Sequence, residues 1–315
     1  MALTVDDLRW SFLDDVTAQV AMALDPDGYP ATRELKKVAA RMLREQGSDR
    51  QKVFWICVKY YNVRKRRIHP LKRRVIRSPE LRAMNLSDDQ LAALDRIEAD
   101  SRAGADLTAY LSRRIRQLSY NDALLNDWGI HHLHLGAPAQ PFVERSHEVL
   151  FARVHGDALY FITIMKHGPG YDPWVEHELI EILHRNWPES IEPSRVRFAQ
   201  PAGPPPTADT RKKMRAAGIT IATTTKDGTL YITPGGGYVS SGDSQDAVRL
   251  ANMLLARVTQ IGQECVDNES AIDAQIRRAG GDPALKHLRI GFLPRGGVEV
   301  FDEVSCEIIV SEPWK

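Results

Sequence analysis

Cysteine is scarce in this chain. Its 315 residues include three cysteines, Cys57, Cys265 and Cys306, which lie far apart in the sequence. An odd number of dispersed cysteines excludes a disulfide framework, and no Cys-x-x-Cys pair is present to build a zinc site of that type. We therefore expect three buried, reduced thiols.

Long apolar runs are also lacking. No stretch approaches the ~18 apolar residues that a helix needs to cross a bilayer, although 43% of the residues are hydrophobic, enough for ordinary domain cores. The opening MALTVDDLRWSFLDD is acidic, whereas a secretory signal is basic and then apolar. These features predict a cytoplasmic protein with no membrane partner.

Acidic residues are absent from residues 59–77, KYYNVRKRRIHPLKRRVIR, although the whole chain has a net charge of only +1. Cations interleaved with Tyr60 and Tyr61 suit phosphate contact and base stacking, which predicts binding of RNA or of the ribosome. The alternative is a solvated helix face whose long side chains cover the core. The nine candidate nucleic-acid-binding residues are Lys59, Arg64, Lys65, Arg66, Arg67, Lys72, Arg73, Arg74 and Arg77.

One pair in this basic stretch has a second interpretation. Arg64 and His69 have the R-x4-H spacing that resembles the motif of HEPN ribonucleases, which also lies on helical bundles. Two neighbours depart from that pattern. Lys65 stands where a polar Asn, Asp or His is commoner, and Pro70 disfavours helix at His69.

The patterning predicts an α+β protein with three domains. Residues 1–105 have mainly helical spacing and are expected to form a helical basic domain. Residues 106–200 are expected to form a small α+β unit with antiparallel strands. The PAGPPP stretch at 201–206 is typical of a linker, and residues 207–315 are expected to form a C-terminal α+β domain.

The central segment has the clearest local signals. We expect a helix over residues 106–127, a strand in IHHLHLG, and a hairpin that turns on His155-Gly156-Asp157. A helix in EHELIEILHRNW follows. After the linker we expect a helix in TADTRKKMRAAG, a hairpin at Asp227-Gly228, a long helix capped by Asp243 or Ser244, a shorter helix and a final strand pair.

Three histidines in four positions, within WGIHHLHLG, mark the candidate site. Strand alternation places His132 and His134 on one face, and His131 with Leu133 on the other. If the neighbouring strands pair in order, basic groups from three strands converge. The candidate catalytic residues are His132, His134, Arg145, Arg153, Lys166 and His167, with His147 beside them.

Such a cluster has the ingredients for cleaving RNA without a metal or other cofactor. One histidine takes the proton of a 2′-hydroxyl and another protonates the leaving oxygen, while Arg or Lys stabilises the charge on phosphorus. Two alternatives stay open. The histidines could join His147, His167 or Asp172 in a metal site, or they could be ordinary hydrogen-bonded residues of a strand.

A glycine-rich stretch, TPGGGYVSSGDS at residues 233–244, precedes the long C-terminal helix. Backbone amides at a helix start can receive a phosphate. The stretch lacks the lysine of a P-loop and the spacing of a dinucleotide fingerprint, so ATP and NAD are not supported. We favour a loop that joins a hairpin to a capped helix.

The central segment, with RSHEVLFARVHGDALYFITIMKHG between a strand and a helix, resembles the core of RelE/ParE-type bacterial toxins. Arg145, Val149 and Phe151 match the basic opening strand of that family, and Ile162, Ile164, Lys166 and His167 match its last strand. The resemblance covers about 70 residues. It implies a small α+β fold and ribonuclease activity, although some members act on gyrase and a histidine-rich first strand is not usual among them.

The sequence therefore predicts a metal-independent endoribonuclease of toxin or phage-defence type, whose protein partner would be an antitoxin, a regulatory protein or a second copy of the chain. The N-terminal region would supply affinity for RNA or the ribosome. The alternative from a different class is a non-catalytic nucleic-acid-binding or scaffold protein of a phage or mobile element.

Overall fold

The computed structural model describes residues 4–23, 37, 50–167, 172–199, 203–292 and 297–313. Within the region expected to be helical, residues 24–36 and 38–49 lie outside the described residues. Residues 168–171 after His167, residues 200–202 at the start of the proline linker and residues 293–296 also lie outside them.

The α+β class is confirmed, since helices alternate with three small sheets. The described α-helices are α1 (Val5–Ala23), α2 (Arg50–Arg66), α3 (Pro79–Arg82), α4 (Asp88–Ala103), α5 (Ala123–Trp128), α6 (Glu178–Asn186), α7 (Ala208–Ala216), α8 (Gln245–Asp267) and α9 (Glu269–Arg278). Short 3₁₀ turns connect several of them.

The strands of the described residues form one sheet of four and two sheets of three. They are β1 (Arg74–Arg77), β2 (His131–His134), β3 (Glu148–His155), β4 (Ala158–Lys166), β5 (Arg195–Val196), β6 (Thr223–Thr224), β7 (Leu230–Tyr231), β8 (Leu288–Phe292), β9 (Gly297–Asp302) and β10 (Ile308–Pro313). The orders are β1-β4-β3-β2, β5-β7-β6 and β10-β9-β8.

The chain groups into two compact units, and these differ from the three consecutive domains expected. One unit, here called the terminal unit, joins residues 1–61 to residues 247–315, and the central unit spans residues 62–246. The reason is long-range pairing, because α1 packs on β8 within the terminal unit. The three-stranded sheet β5-β7-β6 likewise assigns residues on both sides of the proline linker to the central unit.

In the terminal unit, α1 covers the edge of a sheet. The Asp15 carboxylate accepts the Ile290 amide at 3.0 Å, and Gln19 accepts the Phe292 amide at 2.6 Å. The Gln19 side chain also donates to the Ile290 carbonyl. Because β8 is an edge strand, these side chains satisfy backbone groups that would otherwise offer a template for aggregation. Cys57 and Cys265 are buried free thiols as expected, whereas Cys306 is exposed.

In the central unit, two sequence expectations need correction. The segment predicted to be helical up to residue 105 contains β1, which pairs in parallel with β4. Residues 106–127 form two 3₁₀ turns and the short α5, not one helix, because Asp106, Ser112 and Asp122 each cap a new start. Ser and Asp side chains compete with helix continuation in this way.

Other local expectations are confirmed. Ser87 and Gln90 form a capping box at the start of α4, and β3 and β4 pair antiparallel around Gly156, whose φ is +58°. The helices expected after the linker correspond to α7, α8 and α9. The last sheet contains a third strand, β10, that the sequence did not predict.

The core of the central unit lies between its four-stranded sheet and α6. Phe151 and Ile162 of the sheet pack with Leu179 and Leu183 of α6, and Trp128 lies in the same cluster with no exposed surface. This packing holds β2, β3 and the end of β4 in a fixed arrangement around the histidines.

Candidate functional site

A cavity of about 590 Å³ lies beside β2 and contains three of the six predicted catalytic residues, His132, Arg145 and His167. The cavity wall also includes Arg114 and Asp122 from the segment before β2. Lys212 and Arg215 of α7 and the loop residue Asp172 complete the charged part of the lining. We call this the histidine cavity.

Strand pairing places the histidines as alternation predicts. His132 lies opposite Phe151 and His134 opposite Val149, so the two share one face of the sheet. Their ring centroids are 6.3 Å apart, and the ring of His167, just past the end of β4, is 5.4 Å from that of His134. The strand is buried, and His134 is only 4% exposed.

His167 is held by the residue that precedes β3. Its amide donates to the His147 carbonyl at 2.7 Å, and its ring Nδ1 lies 3.1 Å from the same oxygen. The ring therefore binds this carbonyl as a donor through Nδ1. This arrangement fixes the imidazole at the wall of the histidine cavity.

Burial controls the protonation of the β2 histidines. It lowers the pKa of His134 to about 4, with further lowering from His132 and His167. Burial also lowers the pKa of His132, although the nearby Asp122 carboxylate, 3.8 Å from its Nδ1, acts in the opposite direction. At neutral pH these imidazoles are therefore neutral and able to accept a proton.

The cations of the histidine cavity are held in different ways. Arg145 is exposed at the rim, and Arg114 stacks over the Tyr120 ring at 4.4 Å. Lys212 pairs with Asp172 at 2.6 Å, and both residues line the cavity. Four cations and two carboxylates in the lining favour an anionic ligand.

Helix α7 is anchored by a buried ion cluster that sequence reasoning missed. Arg215 contacts the Asp127 carboxylate at 2.8 Å and Arg211 contacts it at 3.5 Å, and all three side chains are at most 5% exposed. Both guanidinium groups also lie over the Trp128 ring. The sequence signal was two arginines spaced i, i+4 on one face of a predicted helix. The cluster brings Lys212 and Arg215 to the cavity wall.

Arg153 and Lys166 are not brought into the histidine cavity. The buried Arg153 guanidinium donates to the carbonyls of Trp128 at 2.8 Å and Ser190 at 2.7 Å, and over longer distances to those of Gly129 and Pro234. The register of pairing between β3 and β4 shifts between Phe151 and Ala152, directly before Arg153. Lys166 is exposed and does not line the cavity.

The basic stretch at 59–77 does not form one cationic face. Lys65 donates to Gly235, Ser244 and Asp246, and the buried Arg66 donates to backbone carbonyls. Arg74 pairs with Asp157, and Arg77 pairs with Asp95 and Glu98. Acids from distant segments therefore pair with three of the nine cations, Lys65, Arg74 and Arg77.

The remaining predicted residues of this stretch differ in exposure. Arg64 and Lys72 are exposed, Lys59 and Arg67 are half-buried, and Arg73 is buried. Helix α2 ends at Arg66, and the exposed His69 lies beyond that end. His69 therefore does not share the helix with Arg64. The R-x4-H pair therefore lacks the helical setting of the HEPN motif.

The glycine-rich stretch packs against α5. The amides of Gly235 and Gly237 donate to the carbonyls of Asp127 and Asn126, and a Cβ on Gly235 would lie 2.1 Å from the Leu125 carbonyl. These glycines allow close backbone approach, so the geometry favours the loop interpretation over a phosphate cradle.

In the part of the chain that the structure describes, no group of three or more His, Cys, Asp or Glu side chains is placed to hold a metal ion. No described helix has the length and apolar character to cross a bilayer.

Comparison of the chain with protein-family models, with curated proteins and with solved structures finds no match. The resemblance to RelE/ParE-type toxins therefore depends on the sequence motif, of which Arg145 and His167 line the histidine cavity.

Proposed function

We propose that the histidine cavity cleaves RNA without a metal, with His132 as general base and His167 as general acid. The observation that carries this proposal is the presence of both imidazoles in one wall with Arg145 and Arg114. Two imidazoles and a cation are the groups that transesterification of a phosphodiester needs.

The reaction follows from the placement of these groups. His132, neutral because burial lowers its pKa, accepts the proton of a 2′-hydroxyl. That oxygen bonds to phosphorus as the bond from phosphorus to the 5′-oxygen breaks, and His167 protonates the leaving 5′-oxygen. Arg145 and Arg114 stabilise the charge that develops on the phosphoryl oxygens. The products are a 2′,3′-cyclic phosphate and a 5′-hydroxyl.

Asp122 has a supporting role in this scheme. Its carboxylate lies 3.8 Å from Nδ1 of His132 and stabilises the imidazolium that forms when the ring takes up a proton. A carboxylate beside a catalytic histidine orients the ring and favours its charged form during the reaction. Asp122 is therefore a positioning residue.

The biological setting is part of the same proposal. Together with its resemblance to RelE/ParE-type toxins, an anion-binding histidine cavity suits a cytoplasmic toxin or phage-defence effector that acts on RNA or the ribosome. Such an enzyme needs restraint by an antitoxin, a regulatory protein or a homo-oligomer.

The test uses the full chain, end-labelled RNA and EDTA. We expect cleavage to a 2′,3′-cyclic phosphate, and losses of about 100-fold or more in His132→Asn and His167→Ala. The control His155→Ala alters an exposed histidine at the β3–β4 turn and is expected to cleave normally. Thermal unfolding of each variant reports whether it is folded. Undiminished cleavage in both folded variants, or activity abolished by EDTA, contradicts the proposal.

A non-catalytic nucleic-acid-binding or scaffold role is the second candidate. The observation that favours it is the burial of His132 and His134, which are at most 8% exposed and so have little surface for a substrate. Tight RNA binding by the parent protein without cleavage at any pH between 5 and 8 supports this role over catalysis.

A further inference from the structure

A second cavity lies at the opposite edge of the four-stranded sheet. It measures about 500 Å³ and is lined by four cations, Lys72, Arg73, Arg74 and Arg102, and by one carboxylate, Asp157. Its floor includes Val75 and Ile76 of β1. We call it the edge cavity, and its charge excess is typical of a site for an anion.

Two backbone features bring these cations together. Gly104 ends α4 with φ of +78°, and a Cβ there would lie 3.0 Å from the Lys72 amide, so the C-terminus of α4 approaches residues 71–73 closely. The Arg73 amide then donates to the Ser101 carbonyl at 3.0 Å. This contact places Arg102 beside Lys72 and engages a helix-end carbonyl that would otherwise repel an anion.

Arg73 supplies a second, independent observation. Its side chain is 8% exposed, and one terminal nitrogen donates to the carbonyls of His69 and Leu71. Its Nε is buried and has no acceptor among the described residues. The guanidinium therefore has unused donor capacity, and because Arg73 lines the edge cavity, an anion oxygen bound there is a suitable partner for it.

The acids around the edge cavity leave it cationic. Asp157 pairs with Arg74 at 3.1 Å, but both side chains are more than two-thirds exposed, so this pair is weak and exchangeable. Glu98 pairs with Arg102 and Arg77 but does not line the cavity. Lys72 is exposed, and its ammonium can contact an incoming ligand.

We propose that the edge cavity binds a backbone phosphate of single-stranded RNA. The edge cavity lies at β1 and the histidine cavity at β2, which are the opposite edges of the sheet. Three spacings between neighbouring strands place these edges about 14 Å apart. An RNA strand that occupies both cavities must therefore be several nucleotides long. That the occupant is the substrate of the histidine cavity rests on the proposed function, whereas phosphate binding at the edge cavity does not.

The test measures binding of the full chain to a fluorescent single-stranded 2′-O-methyl RNA of twelve nucleotides over a series of KCl concentrations. This RNA has no free 2′-hydroxyl and cannot be cleaved by the proposed reaction. Lys72→Glu and Lys72→Gln change an exposed residue of the cavity. Arg278→Glu is the matched control, because Arg278 is an exposed cation of the terminal unit.

We expect Lys72→Gln to make the negative slope of log affinity against log salt shallower by about 0.7, the value for one phosphate contact on a single strand. Lys72→Glu is expected to weaken binding on the order of tenfold at low salt, and Arg278→Glu is expected to match the parent. Equal affinities and slopes for all four proteins overturn the proposal. Absence of RNA cleavage by the parent protein overturns the proposed function instead. The binding measurement can still be interpreted in that case, because it does not depend on cleavage.

Discussion

Replacing Arg153 by methionine is expected to lower the free energy of unfolding of the central unit by about 4 kcal/mol. Two of its contacts are short, to the carbonyls of Trp128 at 2.8 Å and Ser190 at 2.7 Å. A hydrogen bond from a charged donor contributes about 1.5–3 kcal/mol, so two such bonds account for the figure.

The assay is urea unfolding followed by tryptophan fluorescence, with the transition of the central unit compared between variants. Arg153→Lys keeps the charge but cannot reproduce the fork of donors, and we expect about half the loss. The control is Arg197→Met, because Arg197 is 74% exposed and its pair with Glu192 contributes little.

The outcome separates a structural from a catalytic role for Arg153. If Arg153→Met unfolds at the same urea concentration as Arg197→Met, the bracing role inferred from its carbonyl contacts is refuted. A stable Arg153→Lys variant with abolished RNA cleavage would restore the catalytic role that the sequence predicted.

Two further predictions concern buried charge. Burial lowers the pKa of His134 to about 4 in the folded protein, against ~6.5 in the unfolded chain. The unfolded state therefore takes up the proton first, and stability is expected to fall by about 3 kcal/mol as the pH drops from ~6.5 to ~4. Urea unfolding at several pH values checks this, and a curve for His134→Asn as steep as that of the parent contradicts it. Asp127→Asn leaves Arg211 and Arg215 buried without their carboxylate, and we expect a loss of about 3–5 kcal/mol. Thermal unfolding measures it against Asp209→Asn, an exposed control; equal midpoints for the two variants would show that the buried cluster adds little.

Local signals in the sequence predicted local structure well. The β3–β4 turn at Gly156, the capping box of Ser87 and Gln90, and the shared face of His132 and His134 all depend on residues within a few positions of one another. The predictions failed where a helical spacing of apolar residues was extended over too long a segment. Asp106, Ser112 and Asp122 each cap the start of a new helical segment between residues 106 and 127. Capping by these side chains therefore prevents one continuous helix.

The candidate site was predicted in part. His132, Arg145 and His167 meet in one cavity because strand order and alternation bring them there. The sequence did not reveal that Arg114, Asp122, Lys212 and Arg215 belong to its charged lining. Arg215 reaches the wall through a carboxylate 88 positions away, and no sequence spacing encodes such a contact.

The sequence by itself determined the α+β class, the β3–β4 turn and the alternation on β2, because backbone propensity and side-chain period act over a few residues. Only the tertiary structure decided which of the cations in residues 59–77 lie beside an acidic partner. Asp157 and Asp246 come from distant segments to pair with Arg74 and Lys65, while Lys72 stays exposed beside the buried Arg73. Charge pairing acts through space over a few ångströms, so a run of cations becomes a surface, a brace or a binding site according to the partners that folding places beside it.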